Sequence, residues 1–240
     1  MVRFGLRVVA CALVTLGCIN IALVAKDRQE TCPSGEDVCY FQASKIELGD
    51  WLIKPFFFPV SNMVPQAVSA FSIVSSAGTQ LVLNTSTGAL KDAHSVWATA
   101  AASYANYSPA NGKIRRITFQ EQIISGSLVS SPGALAAERS VHALIIQSGK
   151  YFVSSSPLGT ITASQVKQNM LATFQAADFV LLSDQGQIDP NTHPDFSTGG
   201  EPIVLGLAHR NQLGNNNAAK SLKTFTSVIY WMVVIDHDRV

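Results

Sequence analysis

An uncharged run of 18 residues, Val8 to Ala25, stands between Arg3 and Arg7 on one side and Lys26, Asp27 and Arg28 on the other. A hydrophobic segment with basic flanks is read by the export machinery before the chain folds, so it constrains where everything after it can fold. As a helix the run would be about 27 Å long, just short of a hydrocarbon core of about 30 Å. That is short for a spanning helix and long for a signal h-region of about 7–15 residues. Signal cleavage after Ala25 would leave Leu23 where a small residue is wanted, and a lipoprotein cut before Cys18 would need a Leu where Thr15 stands. The favoured reading is an uncleaved single-pass anchor, with residues 8–25 in the membrane and the bulk outside the cytoplasm, on the periplasmic or extracellular side.

The remainder, residues 31–240, carries 13 Lys+Arg and 14 Asp+Glu, a formal charge of −1. No basic stripe exists, so nucleic acid is excluded as a partner. With 47 % hydrophobic and 14 % charged residues the chain has material for a packed core and is no disordered tail. Cys32 and Cys39 are the only cysteines of this part, and the turn-forming Pro33-Ser34-Gly35 lies between them. In an oxidising compartment that spacing points to a disulfide. The expected division is an anchor over 1–30, a proline- and aromatic-rich linker with the disulfide over 31–65, and one exported domain over 66–240.

Within the linker, Trp51 precedes Phe56, Phe57 and Phe58, which stand between Pro55 and Pro59. Two prolines bar a helix interior or a central strand. The aromatics either close one edge of the core or form a contact patch for a partner or membrane. Farther on, Leu90, Trp97, Ala101 and Tyr104 fall at helical spacing in an alanine-rich stretch, so Ala89–Asn106 is expected to be a helix. A second helix is expected over Thr162–Ala177, where Val166, Met170 and Phe174 are four apart and Thr162 and Gln165 have capping-box spacing. Strands are expected at Val38–Ala43, around Gln80–Leu83, from Arg116 through Ile123, and at Phe179–Leu182, Ile203–His209 and Thr224–Ile235. A hairpin is expected over Val141–Gln147 and Tyr151–Ser154. Residues 229–234 are apolar on both faces, which suits a central strand. Together these give an α+β domain with a largely antiparallel sheet and two main helices, preceded by the N-terminal hydrophobic helix.

Chemistry-bearing motifs are sparse. Asp189, His193 and Asp195, with Asn191 nearby, are weak candidates for a divalent cation, but no glutamate stands in register for a calcium loop. There is no G-x-S-x-G elbow, no S-x-x-K and no phosphate-binding glycine loop. Five histidines are scattered at positions 94, 142, 193, 209 and 237. His193, Asp195 and Ser197 are the least poor catalytic set. Asn84 and Asn106 match glycan acceptor triplets. No cofactor is implied. The expectation is a non-catalytic scaffold component of a cell-envelope assembly that binds other envelope proteins. The alternatives are a small-molecule-binding sensor or carrier domain, and a hydrolase whose residues converge only in the fold.

Overall fold

The structure is a computed structural model that describes residues 28–32, 36–43, 46, 48–58, 66–75, 78–90, 94–129, 138–161, 167–213 and 220–239. Its strands are β1 (Arg28–Thr31), β2 (Val38–Ala43), β3 (Trp51–Phe58), β4 (Gln66–Ser75), β5 (Gly78–Leu90), β6 (His94–Tyr107), β7 (Ile114–Val129), β8 (Glu138–Gln147), β9 (Lys150–Ser154), β10 (Gly159–Thr160), β11 (Lys167–Phe174), β12 (Phe179–Leu182), β13 (Ile188–Asp189), β14 (Ile203–Leu213) and β15 (Lys220–His237). All pairings are antiparallel, in two sheets. In the first, β15 pairs β7 along one edge and β5 and β2 along the other. Here β11 lies outside β7, and β4 and β1 lie outside β5 and β2. The second runs β13-β12-β9-β8-β14-β6-β3, with β10 on β8.

The molecule is therefore a β-sandwich, and the α+β expectation is wrong. Only three-residue 3-10 turns, such as Pro109–Asn111, interrupt the strands among the described residues. Neither expected helix forms. Most of the first is β6, flanked on both sides by β3 and β14, and residues 95–102 are all buried. A strand buried on both faces shows no polar alternation, so its alanines read as helix formers. They serve instead as small inward side chains: Ala98, Ala100 and Ala102 lie between the sheets. In the second, Lys167–Phe174 forms the edge strand β11, with Met170 and Phe174 turned inward. A spacing of four is one helical turn, but it is also two strand repeats.

The expected anchor has no counterpart among the described residues, none of whose helices is long and apolar enough to cross a membrane. Residues 8–25 themselves lie outside the description, so the signal-anchor assignment finds no support in the described residues. Residues 38–58 supply β2 and β3 to the two sheets, so this stretch is part of the sandwich rather than a linker.

The main core fills the space between the sheets, with Phe41, Trp51, Ile117, Phe119, Ile145, Phe179, Leu205, Trp231 and Val233 among its members. A second cluster sits on the opposite face of the second sheet, built from Phe56, Trp97, Ala101, Leu144, Val153, Val180, Leu182 and Ala208. That sheet curls over this cluster. The rings of Phe56 on β3 and Tyr151 on β9 lie 5.1 Å apart, although β6, β14 and β8 separate their strands. In a flat sheet those strands would be ~19 Å apart; twist and coiling bring its corners together. Lys54 lies over both rings, at 4.7 and 4.6 Å, and bridges Asp184 at 2.9 Å. Gly206 permits the close approach of β14 to β6, since a Cβ there would run into the Ala100 carbonyl.

The β8–β9 hairpin turns through Ser148 and Gly149, both with positive φ (51° and 73°), the backbone hand of a type I′ turn. Ser148 bears the strain of a left-handed conformation that asparagine adopts more readily. Ser148→Asn should raise stability by about 0.5–1 kcal/mol, part of the roughly 1–2 kcal/mol that this region costs an ordinary residue. Urea unfolding measures it.

Candidate functional site

Inward positions of β7 follow a period of two: Ile117, Phe119, Glu121, Ile123. The third is a carboxylate. On β14 the inward series Ile203, Leu205, Leu207 continues into His209 and Asn211. The two sheets thus present one acid and one imidazole to the same interior. Glu121 is 1 % exposed and His209 3 % exposed, and His209 donates Nε2–H to Oε1 of Glu121 at 2.9 Å.

Half of each group's hydrogen-bonding capacity is left over. Among the described residues, Oε2 of Glu121 and Nδ1 of His209 are buried without a partner. Trp231 is the cross-strand neighbour of Glu121 on the same inward face, and Trp51 packs edge-on against it with ring centroids 5.4 Å apart. The indole N–H groups of both are likewise buried without a partner. Buried polar atoms in native proteins are nearly always paired, so four orphans in one stretch of a sandwich core call for a function. Arg139 and Asn211 are cross-strand neighbours one inward step beyond His209, both buried, and extend the polar stretch toward one end of the sandwich.

The opposite face of the same sheet holds a second polar group. Ser140 lies within 2.8 Å of His142 Nε2, and His142 Nδ1 donates to the Ser154 carbonyl at 2.7 Å. The tautomer is thereby fixed, and the Ser140 hydroxyl donates to Nε2. The His142 ring meets Trp97 edge-on at 5.0 Å, and the Arg210 guanidinium lies over Trp97 at 5.2 Å while bonding Ser95 at 3.0 Å. Geometrically this is a hydroxyl beside a base. Its chemistry is poor, because both residues are only 4 % exposed and burial pushes the His142 imidazole down to about 4. A base that weak accepts a proton reluctantly at neutral pH, and effective general bases titrate near the working pH. The pair is a satisfied structural contact.

The sequence-predicted residues fall elsewhere. Asp189 spends Oδ1 on the Asn191 amide at 3.0 Å and Oδ2 on the Thr192 hydroxyl at 2.7 Å, which hold its pKa below the usual carboxylate range. Asp195 is lowered in the same way by the Ser197 hydroxyl and amide. His193 bonds the Phe179 carbonyl at 2.6 Å. These are turn-making contacts, and no metal-holding group of three is found among the described residues. Trp51 and Phe56 are buried, one in each apolar cluster, and the side chains of Phe57 and Phe58 lie outside the description. Cys32 and Cys39 are joined in a disulfide. Asn106 is exposed, whereas the Asn84 side chain lies outside the description. Glu121 and His209 carried a signal that went unread: a charged or titratable residue on the apolar phase of an alternating strand.

No family model and no curated protein matches the chain. Among solved structures, a Lotus tetragonolobus seed lectin isoform aligns at 9 % identity over 83 % of this chain and 100 % of its own, with a TM-score of 0.35. A carbohydrate-binding module studied for specific mannan recognition aligns at 10 % identity over 80 % and 97 %, with a TM-score of 0.31. The carbohydrate recognition domain of Emp46p gives 11 % identity, 80 % and 90 %, and 0.29. At these scores the likeness decides nothing about ligand.

Removing one member of the inter-sheet pair leaves the other buried and alone. His209→Leu should cost about 3–5 kcal/mol, and Glu121→Leu with His209→Leu should recover most of it. A double-mutant cycle in urea reads the difference. His142 gives a separate acid response. Its folded pKa is about 4 against an ordinary 6.5, so between those values the unfolded chain holds a proton that the folded chain lacks. Stability should fall by about 3 kcal/mol as pH drops from 6.5 to 4, and His142→Phe should flatten that slope.

Proposed function

We propose that this protein is a non-catalytic carrier or sensor domain that takes a small, neutral, multiply hydroxylated molecule between its sheets at Glu121 and His209. The observation that carries the reading is the set of four unpartnered polar atoms in that stretch: Glu121 Oε2, His209 Nδ1 and the indole Nε1 atoms of Trp231 and Trp51. Carboxylate oxygen only accepts and indole N–H only donates, so a hydroxyl, which does both, matches the mixture. The indole rings add apolar faces for the carbon skeleton. An anion is disfavoured beside the Glu121 carboxylate. Of the aromatics expected to contact a partner, Trp51 and Phe56 are buried inside the molecule.

The test is thermal unfolding of the full chain against a panel of neutral monosaccharides, disaccharides and smaller polyols. At least one should stabilise saturably, by about 2.7 kcal/mol at a hundredfold excess over its dissociation constant. Glu121→Gln and Trp231→Phe should abolish that response while the circular dichroism stays that of the wild type. A panel without any stabilising member, or a response that survives both substitutions, overturns the reading.

A further inference from the structure

The Cys32–Cys39 disulfide is asymmetric. Cys32 is exposed, just beyond the end of β1, whereas Cys39 is 2 % exposed inside β2 and packs into the main core. His237, at the end of β15, sets Nε2 3.6 Å from the Cys39 sulfur. Its other nitrogen donates Nδ1–H to the Asp238 carbonyl at 2.8 Å, which leaves the Nε2 lone pair directed at Cys39. The ring is itself 6 % exposed and tilted against Tyr107 at 5.3 Å. The charged groups on the segments packed against it include Asp37 before β2, Arg115 and Arg116 on β7, and Asp236, Asp238 and Arg239 on its own segment. Arg115 bonds Asp236 at 2.7 Å and Asp37 at 3.3 Å.

We propose that this disulfide is a thiol-exchange site, attacked at Cys32 by small thiols and dithiols, with His237 receiving the released Cys39. An incoming thiolate reaches only the exposed sulfur and forms a new S–S bond to Cys32. The Cys32–Cys39 bond breaks, and its electron pair leaves on Cys39. That sulfur takes up one proton and donates the resulting S–H to Nε2 of His237, a hydrogen bond that the oxidised form lacks. With a dithiol, the second thiolate attacks the sulfur of its own partner in the mixed disulfide and releases Cys32. The dithiol is oxidised by two electrons and the protein gains two thiols. Among the described residues strand β1 pairs only with β2, so the exchange unfastens this edge strand of the first sheet. Attack at the exposed sulfur also obeys the access rule that governs such reactions.

The experiment uses the full folded chain with Cys11→Ser and Cys18→Ser, so that only the two cysteines of interest remain. Brief treatment with reduced glutathione, acid quench, maleimide alkylation and peptide mass analysis should place glutathione on Cys32 and maleimide on Cys39. Glutathione on Cys39, or reaction only once urea has unfolded the protein, overturns the proposal. His237→Phe should shift the equilibrium with glutathione toward the disulfide by about fivefold, the size of one modest hydrogen bond. It should also alter the pH profile of Cys39 alkylation in the reduced protein. Unchanged equilibrium and profile in a folded His237→Phe variant overturn the role given to His237.

Discussion

The backbone ladder of β15 is the constraint on which the first sheet depends. This strand spends one whole edge on β7 and divides the other between β5, opposite its first half, and β2, opposite its second. The change of partner falls close to a register shift at Val228–Tyr230. A bulge there rotates the strand and lets two shorter strands share one edge. Both edges being taken, nearly every backbone N–H and C=O of β15 can be satisfied inside the sheet. Its inward side chains, Trp231, Val233 and Ile235, then face the second sheet as a block. Since β2 and β15 come from opposite ends of the chain, the sheet closes only after the longest loops have been ordered, the expensive route in folding kinetics.

How far this was legible in the sequence follows from which faces are wet. Strands with one polar face, or with β-branched residues and turn signals at their ends, read correctly: Val38–Ala43, Phe179–Leu182 and the hairpin through Ser148-Gly149 all stand where the residues place them. Strands buried on both sides do not announce a period. In β6, Trp97 and Ala101 face one cluster while Ala98, Ala100 and Ala102 face the other. From Ser95 to Ala102 every position is apolar or small, so the helical propensity of alanine and the helical spacing of Leu90, Trp97, Ala101 and Tyr104 were the signals left, and tertiary burial overrode them. The edge strand β11 failed for a different reason, because it buries only every fourth residue, a spacing that helix and strand share.

The site was less legible than the fold. Glu121 and His209 are 88 positions apart and meet only because the two sheets face each other. No spacing rule reaches that far. What the sequence does carry is local: in the series Ile117, Phe119, Glu121, Ile123, a carboxylate occupies a slot that alternation reserves for the core. Reading such an interruption as a buried group, rather than as a lapse in the pattern, would have selected one half of the site without its partner. By contrast the dense polar loop around Asp189 and Asp195 drew attention through composition alone, and its carboxylates are consumed by the turns they stabilise.

The two buried histidines of the second sheet tie acid stability to the proposed ligand site. His209 on β14 stands opposite Val141 on β8, and His142 follows Val141 with its side chain on the other face. One sheet therefore carries imidazoles on both faces within one residue step, and burial, with the Arg210 guanidinium adding to it, holds His142 neutral. Protonating His142 places a charge in the curled apolar cluster against the back of the sheet that bears His209. A molecule bound between the sheets stabilises the folded form by an amount set only by its concentration and affinity, so the pH at which the acid penalty unfolds the protein must move downward on binding.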